Sequence, residues 1–498
     1  MLIGVVGAGV MGRGIAQLFV QGGHIVRLFD ARPGAAAEAK TSVAAVLERL
    51  AAKGSLSQAA LASCLENLLV CVSIEDLSVC AVIVEAIIED LAAKQALFQE
   101  LETITGPETI LASNTSSLTV SAIAALCATP SRVAGLHFFN PVPLMKIAEI
   151  IPGIQTTPEV VEELRRLIEA TGHRPVIAAD QPGFLINHSG RGLYGEGFRV
   201  VEENVTDFAG VDRIMRDGSG FRMGPFELMD LTGLDVSGKV MQSIFDQFQH
   251  EPRYRPSSLV PPRLAAGLFG RKTGTGFYNY DGARKLEPEE PHPPERRSGI
   301  SVFVQAGERR DELADLLARS GANIIDDSQA AEINFLLPWG EDITTACLRL
   351  GLDPLRSLGV DPLMQWTRRL ALMLSPATAP RVAEAAHALL AANGAKVTVL
   401  ADSPGFVSQR VIAMIVNIGC EIAQRGIARA AEIDPAIRLG LGYPAGPLEL
   451  GDQIGPKKIL EILETIQKIT GDLRYRPSLW LRRRAMLGLS LLHEAPET

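Results

Sequence analysis

The sequence predicts an α/β domain, then an all-α domain, and then a second, eroded copy of the same pair. Three observations predict this architecture. An apolar run of strand length and a glycine-rich turn begin the chain, strand-like and helical patterns alternate up to about residue 180, and short motifs recur 222 positions further on. The 498 residues are enough for roughly three domains of ordinary size.

Composition and charge exclude several classes of protein. Hydrophobic residues make up 47% and charged residues 21%, which is globular and neither disordered nor fibrous. A net charge of −9 disfavours a nucleic-acid or membrane surface, and no apolar stretch reaches the ~18 residues of a membrane span. The six cysteines show neither CxxC pairing nor metal-ligand spacing, and a strand beginning at Leu2 leaves no room for a targeting peptide. We therefore expect a cytoplasmic protein with reduced thiols and no metal.

The first predicted βαβ unit carries a dinucleotide-binding pattern. The apolar run Leu2–Val6 is followed by GAGVMG at residues 7–12 and then by a helical pattern. Gly7 would make the tight turn, Gly9 would let a pyrophosphate approach the backbone, and Gly12 would let the helix pack on the strand. The helix N-terminus supplies N–H donors to the phosphates. Contacts to the cofactor are therefore expected at Gly7, Gly9, Val10, Met11 and Gly12.

An acidic residue completes this unit. The second apolar run, Ile25–Phe29, ends at Asp30, which lies 18 residues after Gly12. A carboxylate there would accept hydrogen bonds from the adenosine ribose and repel a 2′-phosphate, so NAD is favoured over NADP despite the nearby Arg32. A lone glycine motif would be weak evidence, but strand, helix, second strand and acid in register predict a Rossmann-type domain.

The rest of this domain follows the same alternation. Two helical stretches, residues 35–52 and 55–64, predict a helical hairpin inserted after the second strand. Further apolar runs predict a parallel sheet; they lie at Leu68–Val72, Ala81–Ile88, Ile110–Ala112 and Val133–Phe139.

Three polar residues follow or interrupt consecutive predicted strands. Ser116 and His137 lie where the strands of a parallel sheet present ligand-binding groups, and Glu149 lies in an apolar stretch where an acid needs a partner. A base that titrates near neutrality could take a hydroxyl proton as a hydride leaves, and a carboxylate could orient it. Alone, His137 would be a satisfied core histidine and Glu149 a surface acid; beside a dinucleotide fold, their joint placement favours catalysis.

At this point the chain resembles the L-3-hydroxyacyl-CoA dehydrogenase family. The resemblance covers about residues 1–280, in order. The matching segments are GAGVMG at 7–12, VEAIIEDLAAK ending at Lys94, ASNTSSL around Ser116, GLHFFNPVPLMKIAEI at 135–150, DQPGFLIN at 180–187, GPFELMDLTGLD at 224–235 and RKTGTGFY at 271–278.

The resemblance implies roles for individual residues. His137 would be the catalytic base and Glu149 its partner, while Ser116 and Asn187 would hold the substrate oxygen. The cofactor would also contact Asp30, Glu89, Lys94, Asn140 and Lys272, and the candidate CoA contacts in the helical hairpin are Ser42, Arg49 and Lys53. The family usually has arginine after the active-site asparagine, whereas this chain has His188. We expect an altered local pairing there and retained activity.

A proline-rich, charged stretch separates this part of the chain from a repeat. DQPGF at 180–184 recurs as DSPGF at 402–406, and GPFEL at 224–228 recurs as GPLEL at 446–450, both at an offset of 222. The expected domains are the NAD-binding domain 1–180, a helical substrate or dimerisation-type domain 181–281, a linker 282–298, a degenerate Rossmann-like segment 299–401 and a second helical domain 402–498.

The second copy is expected to be inactive. Gln305 and Arg310 stand where Gly7 and Gly12 would align, and Gln409 takes the place of the asparagine. The sequence holds no histidine between His292 and His387. We therefore expect one active site per chain, with the two helical domains either paired as an internal pseudo-dimer or separate. A homo-oligomer stays possible.

The expected activity is NAD-dependent oxidation of an L-3-hydroxyacyl-CoA to the 3-oxoacyl-CoA. Within the family, the long duplicated form resembles the enzymes of aerobic phenylacetate catabolism that act on 3-hydroxyadipyl-CoA. A 3-hydroxybutyryl-CoA or general fatty-acid β-oxidation enzyme is the near alternative. A dehydrogenase of free β-hydroxyacids or a non-catalytic NAD-binding protein shares the fold, but the histidine–glutamate pattern favours neither.

Overall fold

The computed structural model describes residues 1–494. It divides into two compact units, the first made of residues 1–188 with 425–441, and the second of residues 189–424 with the chain from Gly442 onward. A segment from the second copy therefore belongs to the first unit.

The first unit is built on an eight-stranded sheet. Its order is β3-β2-β1-β4-β5-β6-β7-β8. The strands are β1 Leu2–Val6, β2 Ile25–Phe29, β3 Leu68–Val70, β4 Val82–Glu85, β5 Ile110–Ser113, β6 Val133–Phe138, β7 Ile147–Pro152 and β8 Arg174–Ile177. The predicted Rossmann-type α/β domain is confirmed.

One strand departs from the predicted parallel sheet. β7 runs antiparallel to β6, and β8, which follows a helix, runs parallel to β7. The expectation of an all-parallel sheet was wrong there because only residues 139–146 join β6 to β7. A parallel crossover needs a dozen or more residues.

Helices cover this sheet and supply the rest of the first unit. α1 packs Ile15 and Phe19, both fully buried, against the strands, and the Phe19 ring meets Phe138 edge-on at 6.1 Å. The predicted helical hairpin is present as α2 and α3. The helices are α1 Val10–Gln21, α2 Ala35–Ala52, α3 Gln58–Asn67, α4 Leu91–Ile104, α5 Val120–Ala124, α6 Pro158–Ala170, α7 Ile186–Ser189 and, from the second copy, α17 Ala430–Leu441.

The second unit begins with a helical module. Its elements are α8 Arg191–Glu202, α9 Phe208–Arg213, a π-helical turn Ile214–Gly218, α10 Pro225–Thr232, α11 Leu234–Gln247, α12 Val260–Ala265 and the hairpin β9 Asn279–Asp281 with β10 Arg284–Leu286. Buried Asp212 holds the start of α10 by accepting the Phe226 and Glu227 amides at 3.0 and 2.9 Å.

A six-stranded sheet follows in the second unit, in the order β12-β11-β13-β14-β15-β16. Its elements are β11 Ser301–Val304, α13 Arg310–Arg319, β12 Asn323–Ile324, β13 Ile333–Leu336, α14 Ile343–Leu350, β14 Ser357–Val360, β15 Arg369–Leu374, α15 Pro380–Ala391 and β16 Lys396–Leu400. β14 and β15 are antiparallel, which repeats the reversal at β6 and β7. This is the predicted degenerate Rossmann-like segment.

The second helical module pairs with the first within the second unit. It contributes α16 Val407–Gln424, α18 Pro447–Ile454, α19 Pro456–Thr470 and α20 Leu479–Leu487. α8 packs on α16 so closely that a Cβ at Gly192 would lie 2.8 Å from the Ile415 Cα. The Arg410 guanidinium, buried in α16, pairs with Glu196 of α8 at 2.7 Å. Among residues 1–494, no helix has the length and apolar character that a membrane span requires.

Candidate active site

The glycine-rich turn of the first unit has the geometry that a dinucleotide needs. Gly7 has φ 102° and lies so near the Ala86 carbonyl that a Cβ would come within 2.5 Å of its oxygen. A Cβ at Gly12 would lie 1.7 Å from the Gly7 oxygen, whereas one at Gly9 would meet nothing within 4 Å. Gly9 therefore faces open space at the start of α1, where Val10 is exposed and Met11 half-buried. These residues fit a pyrophosphate held by backbone N–H groups.

Asp30 is held in place beside this turn. Its Oδ2 accepts the Ala8 amide at 2.7 Å and its Oδ1 accepts the Arg32 amide at 2.8 Å. Each carboxylate oxygen keeps a further lone pair for a ribose hydroxyl. The Arg32 guanidinium turns to Glu38 at 2.7 Å. The local charge at the end of β2 therefore suits NAD.

A buried ion cluster lies behind the loop that follows β5. The Lys94 ammonium lies 2.6 Å from Glu85 and 3.3 Å from Glu89, and the Lys94 and Glu85 side chains are 1% and 0% exposed. Glu85 also accepts the Ser113 hydroxyl at 2.6 Å. Lys94 therefore neutralises two carboxylates and fixes their positions, whatever further contact it makes with a cofactor.

Glu89 gathers the loop that carries Ser116. Its Oε1 accepts the Thr115 hydroxyl at 2.7 Å and the Ser116 and Ser117 amides at 2.9 and 3.0 Å. Burial raises the pKa of Glu89, but the Lys94 charge and these hydrogen bonds lower it overall, so the carboxylate form is favoured. The half-buried Ser116 is thus held at the end of β5 by Glu89.

The predicted histidine–glutamate pair is formed. His137 and Glu149 are cross-strand partners on β6 and β7, and His137 Nδ1 lies 2.6 Å from Glu149 Oε2. His137 is 4% exposed and Glu149 is fully buried. A carboxylate only accepts hydrogen bonds, so the proton lies on Nδ1 and Nε2 is left as the basic nitrogen.

The second oxygen of Glu149 binds the backbone just before Asn187. Glu149 Oε1 accepts the Leu185 and Ile186 amides, both at 2.9 Å. This links the histidine partner to the segment that carries the half-buried Asn187. His137 is further enclosed by Phe139 and Phe184, with ring centroids 4.5 and 5.8 Å from its own.

The remaining predicted contact residues lie on exposed or locally paired positions. Asn140 is exposed after β6, and Lys272, in the second unit, pairs with Asp235 at 2.5 Å. On α2, Ser42 donates to the Glu38 carbonyl, while Arg49 and Lys53 are exposed toward the end of the helix. The structure leaves their roles toward cofactor and CoA as predictions.

Sequence reasoning missed three residues that shape the site. Glu85 binds Lys94, Asn114 accepts the Phe138 amide at 2.8 Å, and Asp180 accepts the Val120 and Ser121 amides, both at 2.8 Å. The repeat carried one usable signal. Asp180 recurs as Asp402, which in the second copy accepts the matching amide of Ile343 at 2.7 Å.

The second copy lacks the catalytic pair in the structure as in the sequence. Ala371 stands 222 residues after Glu149, and its cross-strand partner is Asp361, whose amide donates to the Ala371 carbonyl at 3.3 Å. Buried Asp361 is taken up by Ser408 and by Gln409, whose amide donates to it at 3.0 Å. Gln409 also donates to the Pro338 carbonyl. These groups satisfy one another where the first copy has its basic histidine.

The change from arginine to His188 also has a counterpart in the repeat. At the matching position, Arg410 is neutralised by Glu196 and Glu203, each at 2.7 Å. The residues that stand 222 positions after these two glutamates are Ile418 and Arg425. Neither carries a negative charge, so an arginine at 188 would not find the acids that neutralise Arg410. Loss of the arginine thus accompanies loss of its acids.

A Rossmann-type lobe with an open glycine turn, an acid at the end of β2 and a buried histidine–glutamate pair defines an NAD-dependent dehydrogenase. The sequence profile of "3-hydroxyacyl-CoA dehydrogenase, NAD binding domain" matches residues 2–181, and that of "3-hydroxyacyl-CoA dehydrogenase, C-terminal domain" matches residues 183–280 and again 405–490. The chain belongs to the 3-hydroxyacyl-CoA dehydrogenase family and uses NAD. The double match confirms the predicted duplication of the helical domain.

Relatives extend over the whole chain. The 3-hydroxyadipyl-CoA dehydrogenase of Escherichia coli K12 is 35% identical over 500 residues, covering 97% of both chains. A crystal structure described as 3-hydroxybutyryl-CoA dehydrogenase from E. coli K12 is 34% identical, covers 98% of both chains and has a TM-score of 0.85. A probable 3-hydroxybutyryl-CoA dehydrogenase of Bacillus subtilis is 37% identical over 277 residues, which are 56% of this chain and 96% of that protein.

Proposed function

We propose that this enzyme oxidises 3-hydroxyadipyl-CoA to 3-oxoadipyl-CoA, with His137 as base and Glu149 as its orienting partner. The observation that carries the catalytic part is the buried 2.6 Å contact between His137 Nδ1 and Glu149 Oε2. The full-length resemblance to a protein named for 3-hydroxyadipyl-CoA supports the substrate.

In this proposal the chain's own residues manage the proton and the oxygen. His137 Nε2 takes the proton of the C3 hydroxyl while the C3–H bond breaks with its electron pair, and bound NAD accepts that hydride. Glu149 stabilises the imidazolium that forms, because its charge faces Nδ1 directly. The Ser116 hydroxyl and the Asn187 amide hold the substrate oxygen as it becomes a carbonyl.

CoA binding lies outside the reacting centre. Arg49 and Lys53 are exposed cations toward the end of α2 and Ser42 lies on the same helix, so we propose this hairpin as the site for CoA phosphates. Binding energy from that remote group would be used to position the acyl chain. The six cysteines are free thiols, which suits the cytoplasmic location that we propose with this function.

A 3-hydroxybutyryl-CoA substrate is the second candidate, favoured by the description of the solved structure that covers 98% of this chain. The test is NADH oxidation by the purified enzyme with acetoacetyl-CoA and with 3-oxoadipyl-CoA, compared as kcat/KM. A strong preference for 3-oxoadipyl-CoA supports the proposal, and a preference for acetoacetyl-CoA replaces it with the second candidate. No turnover of either by the wild type, while NADH still binds, contradicts both.

A further inference from the structure

Helix α17 comes from the second helical module but lies in the first unit, against the lobe that carries the catalytic pair. It packs on β7, the strand of Glu149. The loop before it accepts a backbone hydrogen bond, with the Ala179 amide 2.8 Å from the Ile427 carbonyl oxygen. The Arg174 guanidinium at the start of β8 lies 3.2 Å from Glu432. The second copy is therefore attached to the active lobe at several points.

The same attachment occurs in the opposite sense within the second unit. The Ala401 amide donates to the Val205 carbonyl at 2.9 Å, and both residues are exactly one repeat length of 222 from the Ala179–Ile427 pair. Gly218, the repeat partner of Gly440, lies against Met364 of the degenerate lobe. Each helical module thus contacts the lobe of the other copy. This crossed arrangement belongs to the duplicated architecture and is not a local accident.

On the active side, the contact reaches the backbone that binds Glu149. A Cβ at Gly440 would lie 2.7 Å from Ile186 Cδ1 and 3.0 Å from its Cγ2. Ile186 is fully buried, and its amide donates to Glu149 Oε1 at 2.9 Å. Asn187 is the next residue. The surface of α17 at Gly440 therefore limits where Ile186, and with it the Glu149 carboxylate, can lie.

We propose that Gly440 is a positioning residue for catalysis, because its bare surface seats Ile186 so that Glu149 is held against His137. This inference rests on the proposed role of the His137–Glu149 pair. It gives the second copy, which lacks the catalytic pair, a part in the chemistry of the first. The site on the active lobe is incomplete without helix α17.

The test is Gly440→Ala, with Gly218→Ala as the matched control. Alanine favours a helix more than glycine, so loss of α17 is not the expected effect of the first variant. We expect kcat to fall about 10- to 100-fold, the range for a catalytic group displaced by a fraction of an ångström to 1 Å, while the Kd for NADH and the KM for NADH stay at wild-type values. Gly218→Ala meets the flexible end of Met364 in the degenerate lobe and should leave kcat unchanged.

A second-site variant separates positioning from a general loss of structure. Ile186→Val removes Cδ1, the atom nearest to the added methyl group, so the double variant Gly440→Ala/Ile186→Val should recover most of the lost kcat. Failure of this rescue, or a wild-type kcat in Gly440→Ala, overturns the proposal. If Gly440→Ala does not fold, Ile186→Ala opens the same contact from the other side and should lower kcat; wild-type kcat there overturns it equally.

The failure of this inference is distinguishable from failure of the proposed function. If Glu149→Gln abolishes turnover and Gly440→Ala does not change it, only the role of Gly440 is refuted. If Glu149→Gln keeps wild-type turnover, the proposed pair itself is refuted.

Discussion

Replacing Glu149 by glutamine tests the proposed pair most directly. The substitution keeps the side-chain shape, and the amide oxygen can still accept the Leu185 and Ile186 amides that now bind Oε1. The amide nitrogen would then face His137 Nδ1 and donate to it. That reverses the tautomer, places the proton on Nε2 and removes the base.

The size of the effect follows from the contact. Two unit charges 2.6 Å apart attract by about 6 kcal/mol at an effective dielectric constant of about 20. A neutral hydrogen bond would restore about 1 kcal/mol of this. Since about 1.4 kcal/mol corresponds to a factor of ten in rate, we expect kcat to fall at least about 1,000-fold, which lies within the range for general-base catalysis.

The assay is steady-state NADH oxidation with saturating 3-oxoacyl-CoA, alongside the Kd for NADH from fluorescence titration. The Kd should stay near the wild-type value because Glu149 lies on β7, away from the glycine-rich turn. A kcat within threefold of wild type would refute the role of Glu149. A large change in Kd would show that the substitution disturbs the cofactor site instead.

Three further perturbations have defined outcomes. Glu196→Gln leaves the buried Arg410 with a weaker partner, and should cost about 3 kcal/mol of stability, seen as a lower urea midpoint; an unchanged midpoint would contradict this. Burial raises the pKa of Asp212 to about 7 from an ordinary 3.8, so the unfolded chain releases this proton first and stability should fall from about pH 4 to pH 7. Asp212→Asn should remove that slope from thermal midpoints measured across pH, and an unchanged slope would assign it to other groups. Asp30→Ser should raise the KM for NAD and narrow the preference over NADP in kcat/KM, because it removes a charge that repels a 2′-phosphate; an unchanged ratio would leave discrimination to Arg32 and Glu38.

The duplication gives one chain a built-in comparison. The first copy keeps His137 and Glu149, whereas the second has Asp361 and Ala371 at the same cross-strand positions. Yet Asp180 and its repeat partner Asp402 perform the same backbone-binding task in both. The scaffold was therefore retained after the chemistry was lost. That outcome is expected if the second copy supports the first.

The features that the sequence by itself determined are those with local causes. The bounds of β1, β2 and α2 follow from apolar runs and turn residues within a few positions of each end, and the structure has them as predicted. Gly7 and Gly12 were also readable, since each is needed for a close backbone approach inside one βαβ unit. The repeat needed only a comparison of the chain with itself.

Tertiary structure decided what depends on contacts between distant residues. The reversal of β7 comes from a connection too short for a crossover, and only the resulting register places Glu149 opposite His137. Glu85 looks like one more strand residue until Lys94, nine positions later, is folded onto it. The place of α17 against Ile186 arises from a fold in which two copies cross. Local propensity carries no information about such pairings, because their energy comes from surfaces that meet only after the chain has folded.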